Sequence, residues 1–141
     1  MDLYINLLKI CKKLNLPQKE EKLSNDNWID ISSNQHLSEN FIEEFQDKVN
    51  WYWVSNNQKL SEKFIIKYQD KIDWDRLAYS PNLTTHLINK FYNRFSRSVL
   101  RDIYKQNLIK VMGKFKGDNT KFEVTNLWSM SLPYKHKINW L

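Results

Sequence analysis

The sequence predicts an all-α protein in which short helix–turn–helix repeats stack as a small solenoid or bundle, followed by an irregular C-terminal segment. Two adjacent stretches, residues 28–50 and 51–73, match without a gap at 12 of 23 positions, and a decayed third copy starts at Trp74. Self-similarity at a short fixed period is typical of repeat proteins, whose units bury their apolar faces only against their neighbours. With 2 glycines and 3 prolines in 141 residues, multi-hairpin β architectures and glycine-rich phosphate loops are disfavoured.

Each repeat carries the signals of a helix and of its start. In the first copy, apolar residues recur at positions 37, 41, 42, 45 and 49, which is helical spacing. Ser38, Ser61 and Thr84 stand before these helices at matching positions, where a side-chain oxygen can accept a hydrogen bond from a free backbone N–H. A second short helix is expected to begin near Asp47, and its counterpart in the next repeat near Asp70.

We expect a single domain over residues 1–141, made of three parts. Residues 1–26 provide an N-terminal cap helix, residues 27–96 hold three 23-residue repeats, and residues 97–141 form a basic C-terminal segment. The cap assignment rests on the amphipathic pattern of residues 3–14, for which a helix lying on a membrane surface is the alternative.

The last part of the chain allows two interpretations. Residues 121–124 have the pattern of a strand, whereas residues 134–140 echo residues 45–51 and would form a degenerate capping repeat. Mostly helical structure with an irregular link near residues 113–121 is the favoured prediction.

The repeat motif resembles a known kind of sequence. The run Trp-x-x-[Ile/Val]-Ser-x-Asn-Gln-x-Leu-Ser-Glu-x-Phe-Ile, closed by Gln-Asp-Lys-[Val/Ile]-x-Trp, is similar to short tandem repeats in many uncharacterised proteins of giant DNA viruses and related mobile elements. The resemblance covers about residues 27–95, and the third copy departs from it where Tyr79-Ser80-Pro81 replaces the Ser-x-Asn-Gln segment. It implies an α-helical repeat fold and a viral or mobile-element origin, and it carries no known activity or site residues.

Charge is distributed unevenly along the chain. The whole chain has 22 Lys and Arg against 16 Asp and Glu, a net charge of +6. Residues 27–73 carry 5 basic against 8 acidic side chains, whereas residues 74–141 carry 12 against 4. A strongly basic half predicts an anionic partner, either nucleic-acid phosphate or an acidic protein patch.

Candidate binding residues lie in this basic half. Five cations from position 90 to 105 are spaced 4, 3, 4 and 4 residues apart, so on one continuous helix they would fall within an arc of about 80°. Further lysines alternate with Phe115 and Phe122, which either stack on single-stranded nucleic acid or belong to the core. A solvated helix face is the alternative interpretation of the stripe. The residues assigned to partner or nucleic-acid binding are Lys90, Arg94, Arg97, Arg101, Lys105, Lys114, Lys116 and Lys121.

One aromatic residue is also a candidate. Trp51 and Trp53 are two residues apart and cannot share one face of a helix, so one of them is expected to be exposed. Trp53 is the candidate exposed aromatic, because an exposed tryptophan is a frequent centre of binding energy at protein interfaces.

No catalytic apparatus is recognisable in the sequence. It has no Walker loop, no GxSxG, no HExxH and a single Cys, and its three histidines are far apart. No catalytic residue, metal ligand or cofactor is therefore assigned, and a non-enzymatic protein is expected. The N-terminus lacks the basic region of a signal peptide, and no apolar run reaches the roughly 18 residues of a transmembrane helix, so a cytoplasmic location and no membrane partner are expected.

These observations predict a helical-repeat binding protein. In the first hypothesis it docks on a host protein or ribonucleoprotein, as a viral or mobile-element inhibitor of a host defence complex, of the anti-CRISPR kind, would do. In the alternative hypothesis it binds RNA or DNA directly through the basic segment 90–121.

Overall fold

A computed structural model describes residues 2–34 and 36–114, and this part of the chain is helical without any β-strand. The all-α prediction is confirmed for it. The predictions for residues 115–141, a strand or a degenerate capping repeat, lie outside the described residues. The helices are α1 (Leu3–Lys13), α2 (Asn25–Asn34), α3 (Glu39–Glu44), α4 (Trp51–Asn57), α5 (Glu62–Lys67), α6 (Trp74–Leu77), α7 (Thr85–Phe91) and α8 (Arg97–Lys114), with 3-10 turns at Glu20–Lys22 and Tyr92–Arg94.

The chain divides into two compact units. The first ends at Asn82 and the second begins at Leu83, so the boundary falls inside the third sequence repeat. In the first unit, α2 packs on α4 and α4 packs on α6. These three helices occupy matching positions in successive copies of the repeat, and their stacking is the arrangement that the 23-residue period predicts.

Burial follows the same period. Ile31, Val54 and Leu77 are all 0% exposed, and they occupy matching positions on α2, α4 and α6. The positions on or directly after the intervening helices that helical spacing predicts to be apolar are buried as well. They are Phe41, Phe64 and Leu87; Ile42, Ile65 and Ile88; and Phe45, Tyr68 and Phe91.

Aromatic contacts also recur between repeats. The ring centroids of Trp28 and Phe45 are 5.4 Å apart, and those of their counterparts Trp51 and Tyr68 are 5.6 Å apart. Offset and tilted ring pairs at these distances are favourable beyond the area they bury. The first two repeats therefore reproduce one packing arrangement of large side chains.

Local capping sets where the helices of each repeat begin. The hydroxyls of Ser38, Ser61 and Thr84 accept hydrogen bonds from the backbone N–H groups three residues ahead, at 3.1, 3.2 and 3.2 Å. Each satisfies one of the backbone donors that a helix leaves unpaired at its N-terminus. The predicted caps of α3, α5 and α7 are confirmed.

Helices α4 and α6, which were expected near Asp47 and Asp70, begin later than predicted. Asp47 and Asp70 lie in hydrogen-bonded turns, and the caps of α4 and α6 are Asn50 and Asp73, whose side chains accept from backbone N–H groups at 3.3 and 3.1 Å. The expectation that these helices start near Asp47 and Asp70 was wrong. Turns closed by backbone bonds at residues 45–49 and 68–72 delay the start of each helix.

Two buried serines connect one repeat to the next. The hydroxyl of Ser32, which is 0% exposed, donates to the carbonyl of Trp28 at 2.7 Å and accepts from the backbone N–H of Asn50 at 2.9 Å. One repeat on, the equally buried Ser55 accepts from the backbone N–H of Asp73 at 2.9 Å. Each serine therefore ties its own helix, α2 or α4, to the residue that caps the next helix of the stack, α4 or α6.

Two side-chain amides make a parallel set of bridges. Gln58 is 2% exposed; its Oε1 accepts from the N–H of Leu37 at 2.9 Å, and its Nε2 donates to the carbonyl of Ser32 at 2.8 Å. In the next repeat the side chain of Asn82 accepts from the N–H of Leu60 at 3.1 Å and donates to the carbonyl of Gln58. Pro81 occupies the position that corresponds to Gln58, so the shorter amide of the following residue makes the bridge.

In the second unit the chain does not form one continuous helix from α7 to α8. After the 3-10 turn, Phe95 has an extended backbone, with φ −85° and ψ 145°. Ser96 then caps α8, its hydroxyl accepting from the N–H of Val99 at 3.4 Å. Ser96 stands 23 residues after Asp73, and Leu100, 7% exposed, stands 23 residues after Leu77, so the repeat register continues into α8.

Candidate binding surfaces

A cationic surface lies in the second unit. We define it as the five cations of the predicted stripe, and every one of them is exposed to solvent. Lys90 lies on α7, Arg94 closes the 3-10 turn, and the other three lie on α8. Its members are Lys90, Arg94, Arg97, Arg101 and Lys105.

The geometry of this surface differs from the sequence prediction. A single arc of about 80° requires one helix across all five residues, and the extended backbone at Phe95 interrupts that helix. Within α8, Arg97, Arg101 and Lys105 are each four residues apart and share one face. On the opposite side of the helix, Val99 and Leu100 are buried at 6% and 7% exposure.

The remaining predicted cations are farther along the chain. Lys114 is the last residue of α8, and its side chain lies outside the described residues, as do Lys116 and Lys121. Acidic side chains are rare over the described part of the second unit. Residues 83–114 carry seven Lys and Arg against one acid, Asp102, which is a net charge of +6.

A second candidate surface lies in the first unit, on α4 and α6. Trp53 is half-buried, and the more exposed neighbour is Tyr52, at 38%. The rings of Tyr52 and Trp53 meet edge to face, with centroids 5.0 Å apart, and the guanidinium carbon of Arg76 lies 4.5 Å from the Tyr52 centroid. Tyr79 follows with 54% of its surface exposed. We call these four residues the aromatic–arginine surface.

Of these four residues, sequence reasoning identified only Trp53. The signal for Arg76 was present in the repeat register, because Arg76 stands 23 residues after Trp53 and therefore on the neighbouring helix of the stack. Tyr52 and Tyr79 had no comparable signal, since exposure of a tyrosine depends on which helix face the packing covers. Trp51, in contrast, directs its Nε1–H to the carbonyl of Gln46 at 2.9 Å, as Trp74 does to Gln69 at 3.0 Å.

A cleft of about 370 Å³ lies beside α1, lined among others by Tyr4, Leu8, Cys11 and Glu20. Burial raises the pKa of the Cys11 thiol, so at neutral pH this sulfur is a protonated thiol rather than a nucleophilic thiolate. The negative charge of Glu20 raises the pKa of the Tyr4 hydroxyl, which keeps that group protonated as well. The cleft thus has an apolar wall and a polar rim of mixed charge, and neither of these two groups is an activated nucleophile.

Over residues 2–34 and 36–114, no group of three or more His, Cys, Asp or Glu side chains is placed to hold a metal ion. Within the same ranges, no helix combines the length and the apolar character that a membrane span requires.

Comparison with known proteins adds no relative. No protein-family model, no curated protein and no solved structure matches this chain.

Proposed function

We propose that this chain is a non-enzymatic helical-repeat binding protein that docks on a protein or ribonucleoprotein partner, with the cationic surface as a principal contact. The observation that carries the proposal is the solvent exposure of all five cations, from Lys90 to Lys105, in a stretch whose single acid is Asp102. Three of the five are arginines, whose planar guanidinium matches phosphate and carboxylate groups bidentately. An inhibitor of a host ribonucleoprotein complex, of the anti-CRISPR kind, is one function that such a surface would serve.

The alternative function is direct binding of RNA or DNA through the same surface. The excess of positive charge in residues 83–114 favours it, because neutralising phosphates and releasing their counterions drives nucleic-acid binding. If all five cations contact phosphates of duplex DNA, the logarithm of the binding constant should fall with the logarithm of salt concentration with a slope of about −4 to −5.

The two functions are separated by affinity capture from the natural host with and without nuclease. A partner that remains bound after nuclease treatment supports docking on protein, whereas a partner lost with the nucleic acid supports a contact made through RNA or DNA. Anisotropy of a labelled 20-nucleotide RNA and of a DNA duplex tests direct binding. Absence of binding to both at low salt would rule out the alternative.

A matched pair of triple variants tests the surface itself. The first changes Arg97, Arg101 and Lys105 on α8 to Glu. The control changes three exposed lysines of the first unit to Glu and has the same change in net charge; these are Lys9, Lys59 and Lys63. The α8 variant should lose partner binding while the control keeps it, with circular dichroism unchanged in both. Retention of binding by the α8 variant would contradict the proposal.

A further inference from the structure

The aromatic–arginine surface departs from the repeat pattern at each of its members. Tyr52 and Trp53 correspond to Ile29 and Asp30 in the preceding repeat and to Asp75 and Arg76 in the following one. All six positions are half-buried or exposed, on helices that pack side by side. The three copies of the repeat therefore fold with a different pair of residues at these two matching positions.

Tyr79 shows the same departure. Its counterparts in the two preceding repeats are Ser33 and Asn56, both small and polar, yet Tyr79 exposes 54% of its surface. The stack-building serines Ser32 and Ser55 are identical in the first two repeats, and the third repeat has the small residue Ala78 there. Aromatic rings at 52, 53 and 79 are thus not a requirement of the scaffold, and packing alone does not account for them.

Stacking of α4 and α6 brings three of the four side chains together. Arg76 lies over the Tyr52 ring at 4.5 Å, and Tyr52 meets Trp53 at 5.0 Å with an angle of 76° between the rings. The N–H of Tyr79 donates to the carbonyl of Arg76 at 3.1 Å, which is a 3-10 turn. Since residues three apart in such a turn lie on the same side of it, we infer that Tyr79 emerges on the side of Arg76.

We propose that this surface is a docking site for a segment of a partner protein that presents a carboxylate beside an apolar side chain. Within the described residues, the guanidinium of Arg76 has the Tyr52 ring contact and no ion pair, so its N–H donors are available for a bidentate bond to a carboxylate. Contact with the ring limits its motion and reduces the entropy lost on binding. The flanking rings supply the rigid amphipathic contact area that is enriched at the centres of interfaces.

Charge favours a protein segment over a nucleic acid at this site. Residues 1–82 carry 11 Lys and Arg against 13 Asp and Glu, a net charge of −2. A polyanion would be repelled by this unit, whereas a single carboxylate is neutralised by Arg76. The site rests on the proposed function only in that its partner is a protein. It involves none of the five cations of the cationic surface, so failure of one surface leaves the other intact.

A random 12-residue peptide library displayed on phage and selected on the full chain tests the proposal. The selected peptides should carry Asp or Glu next to an aliphatic or aromatic residue. Arg76→Gln should weaken their binding about tenfold or more, measured by anisotropy of the labelled peptides. Arg76→Lys, which keeps the charge but loses the planar fork, should also weaken binding. Lys63→Gln, which removes one positive charge from an exposed side chain of the same unit, should leave it unchanged.

Tyr79→Ala is a second variant that keeps the test independent of folding, since this side chain is mostly exposed. It should weaken peptide binding without changing the thermal unfolding curve. The proposal is overturned if no peptide is enriched, if the enriched peptides lack an acidic residue, or if they bind Arg76→Gln as well as the original chain. The proposal is also overturned if the chain binds the labelled 20-nucleotide RNA, if Arg76→Gln loses that binding and if the α8 triple variant keeps it. The occupant of the surface would then be a nucleic acid.

Discussion

The hydroxyl of Ser55 lies 2.9 Å from the backbone nitrogen of Asp73, and it accepts a hydrogen bond across 18 residues of sequence at a fully buried position. Ser32 makes the same bond to Asn50, 23 residues earlier. A buried side chain that satisfies the backbone of the next capping residue fixes the distance between neighbouring helices. Neither serine can be replaced by an apolar residue without leaving a backbone donor unpaired.

Ser55→Ala should destabilise the chain by about 1–3 kcal/mol, because the N–H of Asp73 loses the partner that the buried Ser55 hydroxyl provides. The free energy of unfolding from urea titration measures the effect. Ser33→Ala is the control, since that hydroxyl donates to the carbonyl of Asp30 at 3.4 Å, within its own helix and on an exposed part of the chain. Equal stability of the two variants would show that the Ser55 bridge contributes nothing.

Gln58→Ala should cost more, roughly 2–4 kcal/mol, because it leaves both the N–H of Leu37 and the carbonyl of Ser32 without their side-chain partner. Gln58→Glu should also be strongly destabilising, since a carboxylate cannot donate to the Ser32 carbonyl and would be buried with its charge. Urea titration of both variants checks this. Asn57→Ala, an exposed neighbour, should cost less than either, and a reversed order would refute the bridging role.

Asn82→Ala tests whether Asn82 makes the amide bridge of the third repeat, one residue after Pro81, which occupies the position of Gln58. The side chain of Asn82 links Leu60 and Gln58, so its loss should destabilise the first unit by roughly 1–3 kcal/mol. Amide hydrogen exchange at Leu60 should accelerate in the variant. Unchanged protection at Leu60 would mean that the bond is absent in solution.

Ser61→Ala should destabilise α5 by about 1 kcal/mol, because the N–H of Phe64 loses its cap, whereas Ser61→Asp should be tolerated. Thermal unfolding of the two variants checks the prediction. If Ser61→Asp and Ser61→Ala are equally destabilised, the serine acts through something other than its capping oxygen.

The ion pair between Glu43 and Lys67 predicts a pH dependence. The hydrogen bond from Lys67 lowers the pKa of Glu43 below 4.5, and the same bond raises the pKa of Lys67 above 10.5. The contribution of Glu43 to stability is complete above its unfolded pKa and is lost as the pH falls through the lowered folded value. That of Lys67 is complete below its unfolded pKa and is lost as the pH rises through the raised folded value.

Urea titration of the original chain and of Glu43→Gln at pH 7 and pH 3 tests this. The difference in stability between the two proteins should shrink as the pH falls from 7 to 3, because protonation of Glu43 removes the charge that the glutamine variant already lacks. Glu44→Gln, an exposed neighbour, is the control. A difference that stays constant with pH would show that the ion pair does not form in solution.

The sequence predicted the cationic surface only in part. The cations from Lys90 to Lys105 follow from sequence spacing, and their exposure agrees with the polar side of that pattern. The break at Phe95 does not follow from it, since the apolar pattern runs smoothly through that residue. The repeat register does indicate a new helix start here. Ser96 stands 23 residues after the cap Asp73, and Leu100 stands 23 residues after the buried Leu77.

The sequence by itself determined the repeat length, the caps at Ser38, Ser61 and Thr84, and the buried face of each helix, because these depend on contacts within a few residues and on a period that can be counted. Only the tertiary structure decided which partners Ser55 and Gln58 bond to, and that Arg76 lies on the ring of Tyr52. These features join atoms 18 to 26 residues apart. Their geometry is set by how neighbouring helices stack, which no local propensity specifies.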